Sequence, residues 1–276
     1  AAGATGGNVV QAGRAGEASG TIRGRRTLGA TGNVDAAGAM VAGTKTFPSL
    51  TCAGQSWAAY VGERVWIQGT GDDYTPGLFA FILADAGSGV AITTPWVDAL
   101  SGTYDVPPSP GSTWQIYTVP EVSGQWAIMT LGAGHYVAVD LDIGGAPGFA
   151  GIYLTGADRS QAHGVAIRST GYTLESQESI LEAHGCFADG GHLRTQGGQL
   201  HMYGGGARGN GSRIYANSGY VEIAEPIVLS GGAYLSVEGG GSMLVDANVG
   251  VRATAVRAVI RSSISLARSG SGKVGC

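Results

Sequence analysis

The chain has 276 residues, of which 50 are glycine and only 13 % are charged, where an average protein carries roughly 25 % charge. Hydrophobic residues at 43 % exclude a charge-rich disordered chain, and the lack of a strict G-X-Y period excludes collagen. A net charge of −4 gives no broad basic surface for nucleic acid, and apolar runs as short as 78–84 leave no stretch of about 20 residues for membrane insertion.

Residues 1–46 hold 11 glycines, 11 alanines and no aromatic residue. Such a segment buries too little apolar surface to offset its ordering entropy alone. Arg14, Arg23, Arg25, Arg26 and Lys45 against Glu17 and Asp35 give it a charge of +3, and the remaining chain carries −7. The expectation is an extended arm that anchors the chain by lying on its own oligomer or on another protein. The sequence opens Ala1-Ala2-Gly3 with no basic-then-apolar leader, which reads as a protein made and assembled in the cytosol.

Residues 47–150 contain all five tryptophans, Trp57, Trp66, Trp96, Trp114 and Trp126. Short apolar stretches at 64–68, 78–83, 90–93, 114–119, 125–131 and 136–143 are separated by turn signals such as Gly71-Asp-Asp and Pro107-Pro-Ser-Pro. Tyr136-Val-Ala-Val-Asp-Leu-Asp-Ile alternates with period 2, and no segment carries a sustained helical stripe. This pattern predicts an all-β domain with one core.

Residues 151–276 carry an internal repeat. Leu193, Ile214, Leu235 and Val256 are each 21 residues apart; Leu200, Val221, Met243 and Ile264 step by 21, 22 and 21; Met202, Ile223, Val245 and Leu266 repeat those steps. Two glycine sets keep the register, at 191, 211, 232 and at 198, 219, 241. A β-solenoid of five or six turns follows, with these twelve aliphatic residues stacked inside and glycines turning corners that require φ > 0. The register is weaker between 151 and 190, where 175–183 reads equally as a short helix.

Local motifs give little chemistry. Gly204-Gly-Gly206-Ala-Arg-Gly209 matches a dinucleotide fingerprint, but the next segment is another strand, so it reads as a solenoid corner. Gly54-Gln-Ser56-Trp-Ala lacks the second glycine of a nucleophile elbow. Cys52, Cys186 and Cys276 are odd in number and far apart, which argues against a disulfide framework. His184, Cys186, Asp189 and His192 match no zinc spacing, so no metal and no cofactor is expected. Asn210-Gly-Ser212 is a glycosylation triplet without a secretory leader to support it. Carboxylates on an exposed solenoid face could cleave polysaccharide. The candidate pairs are Glu222 with Glu225, Glu238 with Asp246, and Asp140 with Asp142; were the chain an enzyme, Glu222 and Glu225 would be its acids. Tyr203, Tyr215, Tyr220 and Tyr234 are candidates for carbohydrate contact or for packing between subunits.

A Gly/Ala-rich arm, a β domain and a C-terminal β-solenoid together resemble bacteriophage tail fibre and tailspike-like virion proteins. Val61-Gly-Glu-Arg-Val-Trp-Ile-Gln-Gly69 followed by Thr75-Pro-Gly-Leu-Phe-Ala-Phe-Ile82 is similar to a small β module of such proteins. The resemblance implies a homotrimer anchored to another virion protein through residues 1–46. It implies a distal part facing the host, with host surface glycan as a possible ligand, and a location in the virion after assembly in host cytoplasm. A solenoid this short favours a structural and attachment role without enzymatic activity. The alternatives are a polysaccharide depolymerase and a bacterial surface adhesin.

Overall fold

The computed structural model describes residues 8–12, 20–24, 27–41, 46–71, 76–119, 121–122, 126–131, 136–144, 150–155, 159–168, 171, 173–246, 251–253 and 258–260. Among them there is no α-helix, only a 3-10 turn at Ala58–Tyr60, and the fold is all-β with a C-terminal β-solenoid.

The solenoid is built from three parallel sheets of eight, seven and seven strands. The first runs through Asn8–Ala12, Trp126–Leu131, Ala150–Thr155, Thr173–Gln177, His192–Gln196, Arg213–Asn217, Tyr234–Glu238 and Ala258–Ile260. The second runs from Gly20–Arg23 through Tyr136–Val139, Ser160–His163, Ile180–His184, Gln199–Tyr203 and Tyr220–Ile223 to Ser242–Val245. The third, of short strands, runs from Glu121–Val122 to Val251–Ala253 and includes Ala166–Ile167, Phe187–Asp189, Gly206–Arg208 and Ile227–Ser230. The unbroken stretch 173–246 covers about four turns.

The predicted columns are present in register. Leu193 pairs with Ile214 and Ile214 with Leu235; Leu200 pairs with Val221 and Val221 with Met243; Met202 pairs with Ile223 and Ile223 with Val245. All nine lie in or against one apolar core, which also takes in Leu174, Leu181 and Ile227. The residue opposite Leu235 in the next turn is Ala258, two positions beyond the expected Val256. Val256, Ile264 and Leu266 lie outside the described residues. The segment 175–183 is two strands joined by a turn, with Leu174 and Leu181 pointing inward, so its helical alternative falls.

The corners separate two uses of glycine. The turn between the first and second sheets places Glu178, Gly197, Ser218 and Gly239 at positive φ, with Gly240 joining Gly239 in the last of them. The neighbouring glycines 198, 219 and 241 were expected to supply that φ and do not. They serve close approach instead: a Cβ on Gly219 would lie 2.6 Å from the carbonyl oxygen of Gly198. Stacked turns leave no room there for a side chain.

The Gly/Ala-rich N-terminal segment does not stand apart from this body. Asn8–Ala12 pairs with Trp126–Leu131, and Gly20–Arg23 with Tyr136–Val139, both parallel. With Glu121–Val122 these strands form the solenoid's first turn, so the solenoid also reaches well below residue 151. The chain leaves that turn after Arg23, builds a second body, and returns at Glu121.

The inserted body is a nine-stranded antiparallel sheet. Its main path begins with Thr27–Asn33 and ends with Ala36–Gly38, two strands separated only by Val34 and Asp35. Val34 donates to Ser112 on one side and Asp35 to Thr51 on the other, so the sheet rolls up on itself. Trp57, Trp96 and Trp114 fill its interior, Trp57 and Trp114 with ring centres 5.0 Å apart. Leu78–Gly87 divides its residues by parity. Ala80 and Ile82 face the barrel interior, while Phe79, Phe81 and Leu83 face Ala166, Phe187 and Val228 on the solenoid's third sheet.

Arg64 crosses this seam fully buried. It donates to the carbonyls of Gly164 (2.5 Å) and Leu141 (2.8 Å), and it pairs with Asp142 at 2.5 Å. Arg168 pairs with Asp142 and with Glu63, and Arg208 pairs with Asp189 and donates to the Leu83 carbonyl. The pair Asp140 and Asp142, one of the sequence candidates for chemistry, is thus structural. Asp140 is buried and pairs with Arg23, and Asp142 is shared by two arginines.

Two outcomes check this construction. Ile214→Ala removes one rung of the inner ladder and is expected to destabilise by about 2–5 kcal/mol in denaturant unfolding. Gly185 has φ +60°, and a Cβ there would lie 2.6 Å from the Phe79 ring. Gly185→Ala is expected to cost about 2–4 kcal/mol, from left-handed backbone and overpacking together. Adding Phe79→Leu restores the steric part only.

Candidate functional site

Among the described residues, the barrel packs its apolar strand on the third sheet, and the outward side chains of the first and second sheets form the solenoid's other two faces. On the second sheet, alternate residues point outward and form columns. Gln161, Glu182, His201 and Glu222 stack in one. His163, His184 and Tyr203 stack in the next. Their rings lie 4.6 and 4.7 Å apart and nearly parallel, the spacing the strands impose. Tyr104 reaches across from the barrel, stacks beside His184 and Tyr203, and bonds through its hydroxyl to His184 Nδ1 at 2.6 Å.

The electrostatics follow from this burial. His163 is pushed down to about 3 by desolvation and by neighbouring His184. His184 is pushed down to about 4, by desolvation first and by Arg159 in addition, against the pull of Glu182. Burial alone would raise Glu182, yet bonds from Arg159 and from Gln161 (2.8 Å) hold its carboxyl below the usual value. Tyr104 is raised, by burial first and then by Glu225, so its hydroxyl keeps its proton in the bond to the neutral imidazole.

The predicted acids sit on this face without forming a pair. Glu222 points outward from its strand, as expected, and meets His201 Nδ1 at 2.9 Å. Tyr220 lies edge-on to His201 at 6.2 Å. Glu225 lies beyond the end of that strand, its carboxyl raised by burial and by Asp246. The four tyrosines divide between the faces, Tyr203 and Tyr220 on the second sheet, Tyr215 and Tyr234 on the first.

The first sheet carries a different pattern. Glu175, Arg194, Tyr215 and Ser236 share a column, with Arg194 bonded to Glu175 at 2.8 Å and to the Tyr215 hydroxyl at 2.9 Å. Arg213 lies 3.8 Å over the Tyr215 ring and pairs with Glu238 at 2.7 Å. Both faces therefore hold mainly neutralised carboxylates among flat rings, a surface suited to packing or to polar recognition.

The possible metal group is dispersed. His184 stands on the second sheet, Cys186 is sealed in the core with its thiol pushed up to about 12, Asp189 faces the seam, and His192 lies on the first sheet. No cluster of three potential metal ligands exists among the described residues. Sequence reasoning missed Tyr104, His163, Arg159 and Glu182. The available signal was spacing: His163, His184 and Tyr203 are 21 and 19 residues apart, the same steps as Gln161, Glu182 and His201.

No family model, curated protein or solved structure matches this chain.

Removal of Arg194 tests the charge ladder. Glu175 is nearly inaccessible, and Arg194→Ala strands its carboxylate. The expected loss is about 1–3 kcal/mol in thermal or denaturant unfolding, below the figure for a fully buried pair because the arginine is partly wet.

Proposed function

We propose that this chain is a structural virion component of the tail fibre or spike type, homotrimeric and serving particle assembly and host attachment. In this reading it is assembled in host cytoplasm and located in the virion. The observation that carries the reading is the architecture: a β-solenoid stacked in register, with a barrel packed on its third sheet and two ordered outer faces beside it. Isolated short solenoids that expose such faces gain from packing against identical copies. The outer carboxylates favour this role over catalysis, since Glu175, Glu182, Glu222 and Glu238 each meet a basic side chain. In this reading the end anchored to another virion protein is the first turn, where strands from the N-terminal segment lie beside the barrel.

One observation supports the polysaccharide depolymerase as a second reading. Glu225 holds its proton above the usual carboxyl range close in sequence to outward-facing Glu222, and Tyr203 and Tyr220 lie on the same sheet. An acid and a separate carboxylate beside sugar-stacking rings are the parts such a reaction needs.

Light scattering on the purified chain is expected to give three times the chain mass, and a stable monomer overturns the fibre reading. Incubation with bacterial capsule and lipopolysaccharide is expected to release no oligosaccharide. Release that disappears in Glu225→Gln or Glu222→Gln establishes the depolymerase instead.

A further inference from the structure

Two consecutive residues of the barrel, Tyr104 and Asp105, are tied to opposite sides of the seam. Tyr104 bonds to His184 on the solenoid. Asp105 accepts from the Met40 amide at 2.8 Å, and its own amide donates to the Trp96 carbonyl at 2.5 Å. Asp105 also takes φ +58°, a left-handed conformation that a non-glycine residue holds only where its surroundings enforce it. The free ends of both groups are dry. Asp105 Oδ1 and His184 Nε2 are buried without a hydrogen-bond partner.

We propose that Tyr104–Asp105 is a clasp whose closure is favoured by an uncharged imidazole on one side and an uncharged carboxyl on the other, so that the two proton demands oppose and level each other.

The physical basis is desolvation at both anchors. Protonating His184 in the closed clasp would bury a cation stacked between His163 and Tyr203, beside Arg159 and opposed only by Glu182. Glu225 and Glu182 act on the Tyr104 hydroxyl in the sense that keeps it protonated. Ionising Asp105 would bury an anion with two backbone amides as its relief, Met40 and Trp96. His163 stacks on His184 at 4.6 Å, and a charge on His184 disfavours one on His163. It bonds through Nε2 to Gln161, and Tyr104 stacks against His184 and Tyr203 on the side away from it.

The signs are opposite and the windows overlap. His184 is lowered from 6.5 to about 4, so its contribution to closure is complete above 6.5 and is lost as pH falls towards 4. Asp105 is raised from 3.8 to about 6, so its contribution is complete below 3.8 and is lost as pH rises through 6. Between pH 4 and 6 each unit of acid weakens one anchor and strengthens the other. The native clasp therefore keeps a nearly constant grip, and removing either anchor uncovers the slope of the other.

Hydrogen–deuterium exchange of the peptide spanning 97–106, corrected for intrinsic rate and followed from pH 4 to pH 7, tests this on the intact chain. The native protein is expected to give a flat protection profile. Asp105→Asn is expected to lose protection towards acid, by up to ~10-fold per pH unit, and His184→Gln to lose it towards neutrality by a similar factor. Tyr104→Phe, which keeps the ring and fold but removes the bond to His184, is expected to lower protection and to leave only the slope of Asp105. Protection of the peptide containing Leu193 serves as the folding control and should stay level throughout. Profiles in Asp105→Asn and His184→Gln that slope the same way, or that match the native profile, overturn the proposal. So does loss of protection in the two peptides together.

Discussion

Parallel stacking at one strand spacing governs this molecule. Once a turn of about 21 residues lays its strands on the previous turn, every side chain meets the residue one turn earlier about 4.8 Å away. Inward positions can then be filled only by residues that pack on their own kind, and aliphatic columns satisfy this with continuous contact and no polar atoms to pair. Outward positions obey the same constraint with different chemistry. Flat rings stack on flat rings, as His163, His184 and Tyr203 do, and carboxylates alternate with bases, as Glu182, His201 and Glu222 do. Like charges in adjacent rungs would repel along the whole axis.

That constraint explains which parts could be read from the sequence. The inner columns were legible because one residue class recurs at one period from Leu193 to Val245. The outer columns were not, because stacking rewards complementarity there, so the residue type changes at each rung and no period appears in any single class. Tyr104 was beyond reach for another reason. It joins the ring column from a separate body, 80 residues away from His184, and no local pattern marks that meeting. The N-terminal segment misled for a third reason. Residues 8–23 carry no aliphatic period, and their partners at 126–139 lie on the far side of the inserted barrel. Glycine and alanine in that segment looked like the composition of a loose arm, yet its strands end the stack and Ile22 reaches the apolar core. Where 175–183 was ambiguous between helix and strand, the stacking of Leu174 on Leu193 and of Leu181 on Leu200 decided it.

The seam between barrel and solenoid is where regular stacking is interrupted, and the sequence departs from simple patterning there. Leu78–Gly87 is apolar on both sides because it serves two cores at once, a run that otherwise suggests a strand buried within a parallel sheet. Corner residues 164, 185 and 204 are glycine because the barrel's Phe79 and Val97 press against them. The buried charges concentrate here as well. Arg64 satisfies two main-chain carbonyls that face the barrel where the third sheet begins, and Asp142 balances its charge. A hydrophobic side chain at position 64 would leave both carbonyls without this donor. The arginine thus fixes the barrel in one position on the solenoid, and greasy contact between Phe81 and Phe187 alone would not select that position.

Placing the barrel between the second and third strands of the first turn has a mechanical consequence. Both connections to the barrel, after Arg23 and before Glu121, leave from the same rung, so the barrel is held by two covalent links at one level and by the seam at several. Load on the barrel passes into Arg64, Arg168 and Arg208, which meet acidic partners on the third sheet at Asp142 and, two turns further on, at Asp189. Because each turn is hydrogen-bonded to the next across three sheets, a pull at that level is shared down the stack and does not concentrate on one strand. The fibre role proposed above would draw on that property, and the same stacking rule that orders the core supplies it.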